Sequence, residues 1–174
     1  MAITILYAPQ PDERPESSAA YEYAKRSGDL MSTRIITIDR LGIESLKSHH
    51  DEVAEPTHGD ESNSAACKMM ILIISCSADG SVDRMVRKIL RQKATTIAPY
   101  VTISIALLGH AKCDNSAKQM EDTIFYHGRK FHRFIESMSN GCPTSKVEVQ
   151  VELEDPEARY DEWMRNQSTP GMYA

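Results

Sequence analysis

The stretch Lys68 to Cys76 (KMMILIISC) constrains the fold more than any other. No polar residue interrupts it between Met69 and Ile74, so neither face of an extended chain there could turn to water. An apolar run this short suits a strand covered on both faces. The period then changes. From Asp79 to Lys93, residues Val82, Met85, Val86, Ile89 and Leu90 recur at i, i+3, i+4, i+7 and i+8, the stripe of an amphipathic helix. A doubly covered strand leading into such a helix is the repeating unit of a parallel sheet clad by helices.

The alternation recurs along the chain. Ile3 to Ala8 is β-branched and aromatic and reads as a strand. Glu16 to Ser27 reads as a helix on Ala19, Ala20, Tyr23 and Ala24, with Gly28 as its stop. Arg34 to Ile38 is a second strand and Leu41 to Ser48 a short helix. The stretch 49–66 holds five acids, one Pro, one Gly and no Lys or Arg, and reads as a long, flexible acidic loop. Tyr100 to Leu108 is a buried strand, Gly109 to Lys118 a polar loop, and Gln119 to Ser139 a long helix ended by Asn140-Gly141. Lys146 to Leu153 is the last strand. Asp155-Pro156-Glu157 opens a final helix, with Asp as N-cap and Pro at the first helical position. Residues 167–174 read as a tail or linker stub.

Five strands alternating with about five helices predict one α/β domain over 1–166. The expected architecture is a three-layer sandwich around a five-stranded parallel sheet of order 2-1-3-4-5. The 174 residues carry 20 basic and 25 acidic side chains, a net charge of −5. That balance disfavours a chain coated in nucleic acid. No run approaches the ~20 apolar residues of a membrane helix. The N-terminus lacks the basic residues of a signal or transit peptide. Cys67, Cys76, Cys113 and Cys142 are scattered, with no C-x-x-C, so a cytoplasmic location is expected.

In a sheet of this kind ligands sit beyond the carboxyl ends of the strands. The loops at 9–15, 76–81 and 109–119 are therefore the candidate site. Gln10, Arg14, Ser17, Ser18, Ser77, Asp79, Gly80, Gly109 and His110 are the positional candidates for holding a cofactor.

Several segments resemble the flavodoxin domain of NADPH-dependent diflavin reductases, the cytochrome P450 reductase type. Ile5-Leu6-Tyr7-Ala8 is similar to that family's first strand, and Gln10 falls where its S-Q-T-G-T loop carries Gln. Ile71 to Gly80 (ILIISCSADG) resembles its third strand and following loop, and Ile103 to Gly109 (ISIALLG) its fourth. His127 to Phe131, with Phe134-Ile135-Glu136 and Asn140-Gly141-Cys142, resembles its fourth helix and exit turn. Glu154 to Glu157 with Tyr160 to Trp163 resembles its last helix. The resemblance implies a flavodoxin-like fold, FMN as cofactor and electron transfer as activity.

The loops that would hold FMN depart from that pattern. The first reads Pro9-Gln10-Pro11-Asp12-Glu13-Arg14-Pro15-Glu16. Its three prolines remove three N–H donors, and no Gly lets the backbone close on a phosphate. Asp12, Glu13 and Glu16 repel a phosphate, each by roughly a kcal/mol at surface dielectric, and Arg14 offsets part of this. Neither 76–81 nor 109–119 supplies an aromatic ring; the nearest, Tyr126, is expected one to two turns inside its helix. The expectation is a degenerate FMN site, no bound cofactor, and a redox-inactive interaction or scaffolding module in a larger assembly. The alternative is an FMN-binding electron-transfer domain.

Arg84, Arg87, Lys88 and Arg91 share the outer face of one helix, and Arg129, Lys130 and Arg133 cluster on another. Solvated faces are the plain reading. As docking surfaces they would receive an acidic protein first and RNA second. His110 with Cys113 is too sparse a pair for a metal site, and none is expected. Cys76 reads as a buried, inert thiol.

Overall fold

The computed structural model describes residues 3–33, 35–37, 68–91, 101–110, 122–138, 144–152 and 155–167. Its strands are β1 (Ile3–Ala8), β2 (Ile35–Thr37), β3 (Lys68–Cys76), β4 (Val101–Gly109) and β5 (Thr144–Gln150). Its helices are α1 (Ala19–Met31), α2 (Arg84–Arg91), α3 (Tyr126–Met138) and α4 (Pro156–Gln167). The expected short helix at 41–48, the acidic loop at 49–66, most of the loop at 109–118, Asn140-Gly141 and the tail after Gln167 lie outside the described residues.

All strand pairs are parallel, and the five strands lie in the order β2-β1-β3-β4-β5. β3 is central, in register with β1 at Ile5–Ile71 and with β4 at Leu72–Ile105. Successive side chains of a strand alternate between faces. Accordingly Met70, Leu72, Ile74 and Cys76 join Val86, Ile89, Phe131 and Ile135 in one core under α2 and α3. Met69, Ile71 and Ile73 join Ala20, Tyr23, Tyr160, Trp163 and Met164 in a second core under α1 and α4. Both faces of β3 are thus dry, as its unbroken apolar run requires. Each buried Ile or Leu there contributes about 1.5–3 kcal/mol relative to exposure.

Several element boundaries differ from the sequence expectation for local reasons. The first helix begins at Ala19, because Pro15–Ser17 forms a 3-10 turn and Ser18 caps the helix, its Oγ accepting the Tyr21 N–H at 3.1 Å. The helix runs through Gly28 and stops at Ser32, whose φ of 50° is left-handed. Gly28 serves packing: a Cβ there would stand 2.9 Å from Ile35 Cγ2. The next helix starts at Arg84 rather than Asp79. Asp79 Oδ1 accepts the Ser81 N–H at 2.9 Å and Gly80 adopts a φ of 80°, so these residues form a turn. Of the expected helix 119–139, residues 119–121 and 139 lie outside the described residues; 122–124 are helical, Phe125 is a turn, and the regular helix runs from Tyr126 to Met138. The last helix starts as expected, with Asp155 Oδ1 accepting the Ala158 N–H at 3.3 Å and Pro156 first in the helix.

No helix among the described residues is long and apolar enough to cross a membrane.

Candidate functional site

The carboxyl ends of β1, β3 and β4 bring three segments to one edge of the sheet: residues 9–18, 77–83, and His110 together with the entry to α3. The first begins with a tight turn. Glu13 N–H donates to the Gln10 carbonyl at 3.2 Å, Pro11 takes the second position, and Asp12 takes the third with a φ of 64°. This is the pattern of a type II turn, for which Pro at the second position is suited and a left-handed third residue is required. The Glu13 carboxylate then reaches back and accepts the Gln10 N–H at 3.1 Å.

Much of the hydrogen bonding of this loop is internal. Pro9, Pro11 and Pro15 have no N–H to give. The Ser17 N–H donates to the Arg14 carbonyl and the Ser18 N–H to the Pro15 carbonyl. Buried Ser18 donates its hydroxyl to the Pro15 carbonyl at 2.7 Å while it caps Tyr21. Of the four positional candidates here, Arg14 and Ser17 are exposed, Gln10 is half-buried and Ser18 is committed to the helix cap. A phosphate brought to this loop would meet a carboxylate on the Gln10 donor. Arg14 and Ser17 stay exposed beside it.

The second segment is closed in the same way. Ser77 N–H donates to the Ser81 carbonyl at 2.9 Å and Gly80 N–H to the Ser77 carbonyl at 2.8 Å. Hydrogen bonds to Ser81 hold the Asp79 carboxyl below the usual range. Gly80 is pressed on the entry to α3: a Cβ there would fall 2.2 Å from the Thr123 carbonyl oxygen. The β3 loop and the Thr123 backbone thus touch directly, leaving no slot between them at this point. Gly109 is equally confined, since a Cβ would meet the Phe125 ring at 2.6 Å.

Tyr126 stands differently from expectation. It is the first residue of α3, not one turn inside it, and is 52% exposed. The Lys130 ammonium lies 4.3 Å from its ring centroid, and the His127 ring meets it edge-on. An exposed ring therefore does stand at this edge, beside Gly80. The turn at Phe125, which no motif in the sequence signals, moves the start of the regular helix toward the edge.

His110 follows β4 directly. Its N–H donates to the Cys76 carbonyl at 3.0 Å, and its Nδ1 lies 3.3 Å from a Glu152 carboxylate oxygen. Its buried Nε2 has no hydrogen-bond partner among the described residues. Cys76 is fully buried against α3, and burial pushes its thiol up to about 12, so it stays protonated and unreactive. Among the described residues no three His, Cys, Asp or Glu side chains are grouped to hold a metal ion.

The two basic clusters fare differently. Arg129 donates Nε and Nη2 to the two Glu148 carboxylate oxygens at 2.8 Å each, and Nη1 to Asp122 at 2.7 Å. Lys146 also donates to Glu148, at 2.7 Å. Burial raises the Glu148 carboxyl, but these hydrogen bonds and charges outweigh it and bring it to about 2. Arg129 is thus engaged within the fold, while Lys130, over the Tyr126 ring, and Arg133 are exposed. On α2, Arg84, Arg87, Lys88 and Arg91 are all exposed, opposite buried Val86 and Ile89.

No protein-family model matches the chain, and no curated protein matches it by sequence. Solved structures do match. A cysteine-to-alanine mutant of flavodoxin from Pseudomonas aeruginosa superposes with a TM-score of 0.58 at 13% identity, covering 97% of each chain. The fold is flavodoxin-like. Oxidised flavodoxin 2 from Bacillus cereus gives a TM-score of 0.52 at 13% identity, over 97% of this chain and 98% of that one. Oxidised flavodoxin 1 from the same organism gives 0.51 at 12%, over 97% and 99%. At these identities the likeness concerns the fold and carries no residue role with it.

Proposed function

We propose that this chain is a flavodoxin-like domain that no longer seats FMN on its first loop and works as a protein-interaction or scaffolding module within a larger assembly. The observation that supports this most is the Glu13 carboxylate on the Gln10 N–H, in a loop whose three prolines supply no donors. Phosphate binding on such loops depends on backbone N–H groups that converge on the anion. Here a carboxylate already takes the Gln10 donor, and Asp12 and Glu16 add like charge. The deciding experiment is the visible spectrum of the purified protein, followed by FMN titration. No flavin band and no fluorescence quenching at micromolar FMN are expected. A stoichiometric yellow band would remove this reading.

A second reading is an FMN-binding electron-transfer domain, of the kind found in diflavin reductases. Exposed Tyr126 beside Gly80 favours it, because a ring at this edge could stack on an isoalloxazine. The likeness to flavodoxins over nearly the whole chain favours it too. Under this reading Tyr126→Ala weakens FMN binding by about tenfold, as loss of one stacked ring should; under the first there is no FMN binding to weaken.

A further inference from the structure

The exposed face of α2 carries Arg84, Arg87, Lys88 and Arg91 at i, i+3, i+4 and i+7, the spacing of neighbours on one side of a helix. Four cations therefore line a strip about 10 Å long, by the helical rise per residue. The opposite face is fixed: Val86 and Ile89 are buried in the core beneath, so the strip is held outward.

Two comparisons within the molecule set this strip apart. Several other described cations are neutralised in place. Arg26 pairs with Glu157 and Asp161, Arg129 with Glu148 and Asp122, and Lys146 with Glu148. None of the four α2 cations forms an ion pair with a described residue. Arg14, Lys25, Lys130, Arg133 and Arg159 likewise form none, but none of them stands among three other cations on one helix face. Helix polarity does not account for the set either. Cations are favoured in a last turn, which suits Lys88 and Arg91, but Arg84 sits in the first turn, where the dipole opposes it.

We propose that this face of α2 docks an acidic segment of a partner protein, with carboxylates spaced along a helix or extended strand to meet the strip. Three of the four cations are Arg, whose planar fork suits bidentate pairing with carboxylates. Phosphate would satisfy the same forks, but the rest of the molecule speaks against a nucleic acid. The chain is net −5, so a long polyanion is repelled wherever it extends beyond the strip. The strip also carries no aromatic side chain on which a base could stack. A short acidic patch needs only the strip itself. The proposal rests on the interaction-module reading and names its partner by charge.

The test uses the full chain and a fluorescent synthetic peptide with Glu at helical i, i+4 and i+7 positions, with a basic peptide and a single-stranded RNA oligonucleotide as comparators. Binding is followed by anisotropy at low and at physiological salt. Saturable binding of the acidic peptide is expected, weakening about tenfold with added salt, as screened charges require. Arg84→Glu with Arg87→Glu should abolish that binding and confer binding of the basic peptide, with an unchanged circular dichroism spectrum. Lys88→Glu with Arg91→Glu gives a second, independent pair should the first not fold. Acidic-peptide binding that is absent, or unchanged in folded reversal variants, overturns the proposal. So does RNA binding tighter than peptide binding. A flavin band would sink the preceding section's reading and leave this readout intact, so the two failures are distinguishable.

Discussion

The Glu13 carboxylate accepts the backbone N–H of Gln10, three residues earlier, across a turn that the Gln10 carbonyl and the Glu13 N–H close from the other side. The two bonds are reciprocal, so the turn is locked by one residue pair. Replacing Glu13 with Gln keeps the reach and loses the charge-assisted acceptor, and should cost about 1 kcal/mol, in the range of a lost cap. Asp12 lies between them at a φ of 64°, a conformation Gly enters without penalty. Asp12→Gly should therefore stabilise by about 0.5 kcal/mol, the left-handed strain relieved less the added entropy of the unfolded chain. Urea denaturation of both variants checks the pair; a destabilising Asp12→Gly would mean that the turn is not held as described.

The acid limb of the stability profile should trace to Glu148. Its carboxyl is brought down to about 2 in the folded protein by Arg129 and Lys146, against an ordinary value of 4.5. The folded state thus binds fewer protons than the unfolded chain between those values. The resulting stability is full above pH 4.5 and is lost as pH falls toward 2. Glu148 is 17% exposed, so little is lost to screening, and the contribution is on the order of 2–3 kcal/mol. Arg129→Met should remove most of it at neutral pH. The gap between wild type and variant should close as the solution is acidified from pH ~5 to ~2, the window set by the two protonation states. A gap that stays constant across that series would assign the loss to packing.

Gly128 lies within α3, where Ala would ordinarily favour the helix by about 1 kcal/mol. Here a Cβ would stand 2.9–3.0 Å from both Leu107 methyl carbons and 3.0 Å from Cys76 Sγ. The close approach of helix to sheet should reverse the sign, and Gly128→Ala should destabilise by about 1–3 kcal/mol. Adding Cys76→Ala should recover part of that loss, since one of the crowding atoms is removed. Additive losses in the double variant, measured by thermal unfolding, would show that the sulfur does not take part.

Burial that holds the Cys76 thiol near 12 also shields it from reagents. Alkylation with iodoacetamide, read by peptide mass spectrometry, should leave Cys76 unmodified in native buffer at pH ~8 and modify it fully in denaturant, since the thiolate is the reactive form. Native labelling at the rate of a free thiol would expose an opening of α3 from the sheet.

Unbroken apolarity in β3 and strict helical spacing in α2 are why so much of the fold is legible in the sequence: burial of both strand faces and of one helix face follows from the residues. Boundaries are less legible where two roles compete for one residue. Gly28 has the look of a helix stop, yet its missing Cβ lets Ile35 approach the helix. Asp79-Gly80 has the composition of a turn, and reading the following period back through it starts the helix too early. The candidate edge is legible as a position and as a shortage of donors. What fills it is not: the Glu13 reach-back and the Tyr126 placement depend on single φ angles and a one-residue turn. The Arg129–Glu148 pair joins positions 19 apart in sequence, with no local signal.

Ser27 and Tyr160 tie α1 to α4 through a buried hydroxyl pair 2.6 Å apart, and here the two truncations should be unequal. Ser27 Oγ also bonds the Tyr23 carbonyl at 3.0 Å, so it keeps a partner when the phenol is removed. Tyr160 has no second hydrogen-bond partner among the described residues, and its burial pushes the phenol well above its usual range. Tyr160→Phe should therefore cost about 1 kcal/mol, the net worth of one hydrogen bond. Ser27→Ala strands a buried hydroxyl and should cost about 2–3 kcal/mol, because an unmet polar group forfeits its full hydration. The combined variant should be more stable than Ser27→Ala alone, since it removes the stranded group. Urea denaturation of all three decides it: equal costs for the two single variants would mean that water reaches Tyr160 and the pair is not dry.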